Sequence, residues 1–506
     1  MHPADAPSPC PTPFSLTAHV LAAGRARPDK SALQILSPTG AERWSYARLI
    51  AAVEGLTAAL MALGLPESGR VLLRLGNSAD FPVAFLACIA AGLLPVAAPA
   101  GLTAPEVTAL AADLAPSLIL AAPGASLPDP CPAPVLTRDQ MRASYDGTGR
   151  APLTGAPDRP AYLVYTSGTS GRPRAVLHAH RAIWARRMMH RGWYGLTAGD
   201  RLLHAGAFNW SFTLGTGLLD PWTLGATALV PAEGVTPAQL PLLLRRHDAT
   251  LFAASPGVYR QILKSHDKID LPHLRHGLTA GEALSPHLRA AWEAATGRPL
   301  YEAYGLSECS TFISGSPDRP APDGAIGFPQ PGRRVAIMDD EGAPLPAGAE
   351  GTIAVHRSDP GLFLGYWDAE AETKARFRGD WFQTGDRATR SDDGAIRFAG
   401  RTDDMMNAGG FRVSPAEVES ALAPCPGAGE IAAFEARVGP ATTIIALAYT
   451  GTATAEALAA LANARLAPYK RPRRYDHHTS LPHTPNGKIN RRALRDGAHQ
   501  EKDAMP

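Results

Sequence analysis

Cysteine is scarce in this chain. There are five in 506 residues, at Cys10, Cys88, Cys131, Cys309 and Cys425. The set is odd in number and scattered, with no Cys-x-x-Cys pair. That excludes a disulfide framework and a cysteine metal site, and it points to a reducing cytoplasm. Net charge is equally slight, at +2. The chain therefore lacks the basic footprint of a nucleic-acid or membrane-surface binder. Its first residues are rich in proline, with Asp5 and no early Lys or Arg, unlike a secretory signal. The stretch 81–102 has no charged residue, but Gly92, Pro95 and Pro99 break its second half. It reads as a buried helix over 81–91 followed by a strand over 93–97, not as a membrane span. Two familiar motifs are also missing. Without Gly-x-x-x-x-Gly-Lys-Ser/Thr there is no Walker A loop, and without Gly-x-Ser-x-Gly a serine hydrolase has no support.

What is present is apolar residue, 45% of the chain, over a length that suggests two or three domains. Helical and strand patterns alternate from residue 14 to 330, which predicts parallel sheet with helices on its faces. Helices are expected over 47–63, 208–219 and 237–247, with strands over 71–75, 200–204, 226–230 and 250–254. Residues 123–160 are rich in Pro, Gly and Asp and read as a long surface loop. From 331 to 400 the pattern becomes short strands separated by Asp/Gly turns, a small antiparallel subdomain. Charged residues and glycines then interrupt the chain at 400–413, the expected domain boundary. A helix over 415–422, strands over 430–436 and 442–449, and a helix over 454–466 make a small α+β domain.

The stretch Tyr165–His180 reads YTSGTSGRPRAVLHAH. An apolar strand over 161–164 precedes it and a helix over 182–189 follows. Glycines bring backbone N–H groups close to a ligand, and Ser167, Thr169 and Ser170 add hydroxyls beside Arg172 and Arg174. Strand, hydroxyl-rich loop, then helix is a phosphate cradle. Strand-end turns at 204–212 and 280–283 could share its crevice, because ligands of open α/β sheets sit beyond the strands' carboxyl ends. At 301–308, Tyr304 could stack on a base, and Ser307 beside Glu308 suits Mg²⁺. At 384–386, Thr-Gly-Asp offers a carboxylate for two vicinal hydroxyls. Taken singly, each of these motifs is as well read as an ordinary turn.

Together and in this order, they resemble the adenylate-forming superfamily of acyl-CoA and aryl-CoA ligases, luciferases and peptide-synthetase adenylation domains. The resemblance spans about 14 to 495. The chain departs from the usual pattern with Arg174-Ala175 in place of Lys-Gly and Ser307 in place of Thr. The resemblance implies a large N-terminal AMP-binding domain (1–402) of parallel α/β layers, carrying a β-barrel-like subdomain (331–400). A mobile α+β lid (403–506) follows. It implies that ATP and AMP are held by Thr166, Ser167, Gly168, Thr169, Ser170, Arg174, Gly281, Glu282, Ala283, Glu302, Ala303, Tyr304, Gly305, Ser307, Asp386 and Arg401. Lys488, Glu308 and His204 would be catalytic, with Glu308 also holding Mg²⁺. Asp403 would be the hinge, and Gly409, Gly410 and Arg412 would line the coenzyme A channel. The acyl pocket would take Phe208, Trp210, Phe212 and Ala280. Phe208 and Phe212 share one face if 208–219 is helical. The basic run 470–474 reads as a solvated face or as an anchor for coenzyme A phosphates.

The implied activity is ATP-dependent ligation of a small carboxylic acid to coenzyme A. The segments 207–215 and 361–367 look most like benzoate-type ligases, so an aromatic or short-to-medium acid is expected. Loading of a carrier protein, or non-catalytic sensing on the same fold, are the other readings. Retention of Glu308 and Lys488 speaks against sensing. A cytoplasmic protein is expected, with no nucleic-acid or membrane partner and with a homodimer as an open assembly; no carrier or condensation domain is expected after residue 506.

Overall fold

The computed structural model describes every residue except 1–8, 167–173, 402–405, 409–410, 438–442, 467, 485–486 and 504–506. Two large sheets carry the N-terminal part. The seven-stranded sheet runs Gly365–Tyr366, Arg174–Ala179, Pro160–Thr166, Leu94–Ala97, Arg70–Arg74, Leu118–Ala121 and Val135–Thr137 in spatial order. Pro160–Thr166 and the four strands after it in that order pair in parallel, while Arg174–Ala179 and Gly365–Tyr366 are antiparallel. The nine-stranded sheet has a parallel centre, formed by Leu300–Leu306, His276–Ala280, Leu251–Ala254, Arg201–His204, Thr227–Pro231 and Ser31–Ser37, with antiparallel strands at both edges. Helices cover the faces. The helix Asp80–Ala90 is buried at every position, and the strand Leu94–Ala97 follows it, so the uncharged stretch is core.

A five-stranded antiparallel sheet follows, built from Val335–Met338, Glu350–His356, Phe377–Arg378, Trp381–Arg390 and Ile396–Arg401. Beyond it come the helix Pro415–Leu422, the antiparallel strands Ala428–Arg437 and Thr443–Gly451, and the helix Ala455–Arg465 around a separate apolar cluster.

Three expectations change. The segment after the phosphate loop is a strand, not the lead-in to a helix. Arg174–Ala179 pairs antiparallel with Pro160–Thr166, and the helix Ala182–Met189 starts later. Its sequence, RAVLHA, buries Ala175, Val176, His178 and Ala179 against the neighbouring sheet and so favours pairing. The expected helix over 208–219 begins only at Ser211. Asn77 holds the Phe208 N–H at 3.0 Å, and Trp210 N–H closes a turn onto Ala207. From Thr213 to Leu219 the helix is widened to π geometry, a form found mainly where function has required room. Residues 123–160 also contain a strand, Val135–Thr137, and a short helix, Arg138–Arg142, started by a Thr137/Gln140 capping box.

Candidate active site

The parallel strands of the nine-stranded sheet end side by side. His204 pairs in register with Ala253, Thr279 with Ala254, and Ala280 with Ala303. The turn after Ala280 is fixed from two sides. Leu284 N–H donates to buried Glu302 at 2.9 Å, and Arg260 approaches Glu282 at 3.4 Å. Burial pushes the Glu302 carboxyl up to about 7, against the pull of the Leu284 N–H and of Arg289. Gly281 adopts φ +95°, a region that favours glycine, and Trp210 lies over it, 3.9 Å from where a Cβ would sit.

The strand Leu300–Leu306 delivers the next group. Tyr304 Oη donates to Asp386 Oδ2 at 2.6 Å, which joins motifs 82 residues apart. Asp386 is buried, and its backbone pairs with that of Arg401 on the neighbouring strand. Ser307 and Glu308 then meet the seven-stranded sheet. His178 Nε2–H donates to the Ser307 carbonyl at 2.7 Å. Tyr366 Oη donates to Glu308 Oε1 at 2.6 Å, and the Arg174 guanidinium stands 5.6 Å from the Tyr366 ring centroid while pairing with Glu372. The strand that leaves the phosphate loop is thus fastened to the Ser307–Glu308 turn.

Lys488 is exposed on a hairpin closed by Thr484, whose N–H donates to the Lys488 carbonyl. The preceding His483 contacts Glu430 at 3.2 Å, and Glu430 lies 3.8 Å from Arg260, the residue that approaches Glu282. The Lys488 hairpin therefore connects to the 281–284 turn through one arginine. In the basic run, Lys470 pairs with Glu417, Arg474 bonds Asp476, and Arg471 bonds the Leu466 carbonyl, so these charges have local partners.

His204 is fully buried. Its Nδ1 accepts from Gly206 N–H at 3.0 Å, and its ring meets Phe212 edge-on at 4.4 Å. Burial, helped by Arg186, pushes the imidazole down to about 3, and its Nε2 is buried with no hydrogen-bond partner among the described residues. Phe208 is also core, stacked on Phe81 at 5.1 Å within the large apolar cluster. Phe212 packs against Trp193 in another cluster, which also contains Ala280 and Ala303. With no helix at 208, the shared face expected for Phe208 and Phe212 does not exist; half-exposed Trp210 is the aromatic at the crevice.

Ser167, Gly168, Thr169, Ser170, Asp403, Gly409 and Gly410 lie outside the described residues, as do the side chains of Thr166, Arg401 and Arg412.

One cluster escapes the sequence reading. Buried Arg186 donates to both oxygens of Asp220, to Tyr194 Oη at 2.9 Å, to Thr216 Oγ1 at 3.2 Å and to Ser310 Oγ. Burial raises the Asp220 carboxyl, but Arg186 and His190 outweigh it and hold it at about 2. The available signal was Asp220 itself, a lone charge between apolar runs, since buried charges require partners.

Comparisons with known proteins agree with this architecture. The AMP-binding enzyme family model matches residues 21–367, and the AMP-binding enzyme C-terminal domain model matches 417–488. A benzoate–CoA ligase of Thauera aromatica is 32% identical over 465 residues, 86% of each chain. The structure of a benzoate CoA ligase from Burkholderia xenovorans LB400 superimposes with TM-score 0.83 at 26% identity, covering 95% of this chain and 100% of that one. The anthranilate CoA ligase AuaEII, solved with anthranoyl-AMP, gives TM-score 0.88 at 25% identity over 98% and 99%.

Proposed function

This chain belongs to the AMP-binding enzyme family, and on that premise we propose that it is an AMP-forming acid–CoA ligase acting on an aromatic acid. The observation that carries the reading is the Tyr304–Asp386 bond beside the Glu308–Tyr366 bond. Two motifs distant in sequence, 301–308 and 384–386, are thereby joined, and they offer a ring for stacking, a ribose-type acceptor and a carboxylate suited to a metal-bound phosphate.

The chemistry follows from the weakness of a carboxylate as an acyl donor. An acid oxygen attacks the α-phosphorus of ATP, the bond to the bridging oxygen breaks, and pyrophosphate leaves. Preplaced donors are worth most at this centre, where negative charge develops. Thr166, Ser167, Thr169 and Ser170 are assigned to the β- and γ-phosphates, with Arg174 beside them. Tyr304 stacks on adenine, and Asp386 with Arg401 takes the ribose hydroxyls. The 281–283 turn and residues 302–305 line the nucleotide, and Lys488 reaches the reacting phosphate. Glu308, with substrate phosphates and water, suits Mg²⁺, which keeps most of its waters and needs only one or two carboxylates. That ion would supply charge for the departing pyrophosphate.

In the second step the thiol sulfur of coenzyme A attacks the acyl carbon, AMP leaves and the thiol proton is released. Residues 403–506 act as the lid, turning about Asp403 so that Lys488 serves the first step and the Gly409, Gly410 and Arg412 loop serves the second.

The test supplies ATP and a panel of benzoates, with free coenzyme A in one arm and a pantetheinylated carrier protein in the other. The proposal requires acyl-CoA in the first arm. Transfer to the carrier protein alone would move the enzyme to the carrier-loading class.

A further inference from the structure

A small cavity lies one residue along from Trp210. It is lined by Tyr162, His178, Arg186, Ser211 and Ser310, with Leu214 and Gly215 among its apolar walls, and measures about 10 Å³. That is room for one oxygen atom with its hydrogens, roughly one water. Two of its lining residues tie it to the site. His178 bonds the carbonyl of Ser307, next to Glu308, and Ser211 adjoins Trp210 over the 281 turn.

The walls carry more polarity than they satisfy among themselves. His178 donates through Nε2 to a carbonyl, so its Nδ1 is an acceptor, and that atom is buried with no partner among the described residues. The ring is stacked on Tyr162 at 4.9 Å and cannot turn away cheaply. Ser310 accepts from Arg186 and keeps its own hydrogen to donate. Ser211 adds a second hydroxyl. Gly215 leaves Arg186 its place, since a Cβ there would stand 2.3 Å from the guanidinium carbon.

We infer that this cavity receives a hydroxyl group on the ring of the acid, so that the substrate class is hydroxyl-substituted aromatic acids. The inference rests on the aromatic-acid ligase reading. A hydroxyl donates to His178 Nδ1 and accepts from Ser211 or Ser310 at once. An amino group satisfies only the acceptor. A second carboxylate is too large, and the charge of Arg186 is already balanced by Asp220. A hydrogen or methyl leaves buried polar groups unpaired, which costs about 1–3 kcal/mol, or roughly 10–100-fold.

The experiment measures acid-dependent pyrophosphate exchange, as kcat/KM, for benzoate and its hydroxy, amino and methyl derivatives at each ring position. One hydroxy isomer is expected to exceed benzoate and the matching methyl acid by about 10–100-fold. Ser211→Ala should shrink that ratio severalfold. Ser310→Gly, suited to the φ of +57° at that position, provides a second variant, and melting temperatures identify any that misfold. Equal use of benzoate and every hydroxy isomer would mean that the cavity holds only a resident water, and would overturn the inference while leaving the ligase reading intact. A ratio unchanged in both folded variants would overturn it in the same way. Exchange with no acid of the panel would overturn the ligase reading, and this inference with it.

Discussion

The two halves of the site are built differently. Around Tyr304–Glu308 the large domain is tied together by side-chain hydrogen bonds: Tyr304 is bonded to Asp386, Glu308 to Tyr366 and Ser307 to His178. The half that carries Lys488 is an exposed hairpin whose tie to the large domain passes through partly exposed charges at 3.2–3.8 Å. Such pairs contribute about 0–1 kcal/mol each. The difference is what a two-step ligase needs. In the proposed reaction, preorganised groups would serve both steps and Lys488 only the first.

Acid should expose this contrast most strongly. Burial pushes His19, His178 and His276 down to about 4, and His180 and His204 to about 3. For groups with lowered folded values, the stability contributed is complete above the unfolded value of about 6.5. It is lost as pH falls towards 3–4, by up to about 1.4 kcal/mol per group and pH unit. Glu302 has the opposite sign: raised to about 7, it contributes below its unfolded value and loses that contribution as pH rises through 7. Five histidines outweigh one carboxyl, and all six lie before residue 402. Calorimetry between pH 7 and 5 should show the large domain's transition falling steeply. A pH-independent transition would break the comparison.

The next effect in size is Lys488→Ala. Adenylation should fall by roughly 10²–10³, as for loss of one preplaced donor. Thioester formation from preformed acyl-adenylate should change far less, and an equal loss in both half-reactions would remove the division of labour.

Phe208→Ala and Trp210→Ala sharpen the contrast inside the large domain. Phe208 is 1% exposed, so its truncation should cost about 3–5 kcal/mol with acid preference unchanged. Trp210→Ala should shift preference towards bulkier acids with little loss in melting temperature. A reversal of the two phenotypes in kcat/KM and melting curves would exchange their roles.

The smallest effect is Arg260→Ala. By loosening the path from Glu282 to Glu430, it should slow adenylation about twofold to fivefold, with thioester formation from preformed adenylate unaffected. Single-turnover rates of the two steps test this.

Much of this was legible in the sequence because it rests on periodicity and on short motifs. The helices Ala182–Met189 and Pro415–Leu422 coincide with their expected bounds, and the expected short strands of 331–400 include Val335–Met338. Tyr304 and Asp386, singled out in two separate motifs, are joined by a hydrogen bond. What failed depends on tertiary pairing. RAVLHA is too short for its local pattern to decide between a returning strand and a helix lead-in, and its pairing with Pro160–Thr166 decides it. The delayed helix start at Ser211 is fixed by Asn77, more than a hundred residues away. The Arg186–Asp220 cluster was half-visible: Asp220 stands alone between apolar runs, but Arg186 sits in a basic pair that looks solvated until the fold buries it.

The central claim is a two-step reaction through an acyl-adenylate. The most direct measurement mixes enzyme, ATP and acid without thiol, follows pyrophosphate exchange, and then adds coenzyme A in a single-turnover chase. The account predicts acid-dependent exchange before any thiol is present, followed by stoichiometric acyl-CoA and AMP. Exchange that requires coenzyme A from the outset, or release of ADP and phosphate in place of AMP and pyrophosphate, would contradict it.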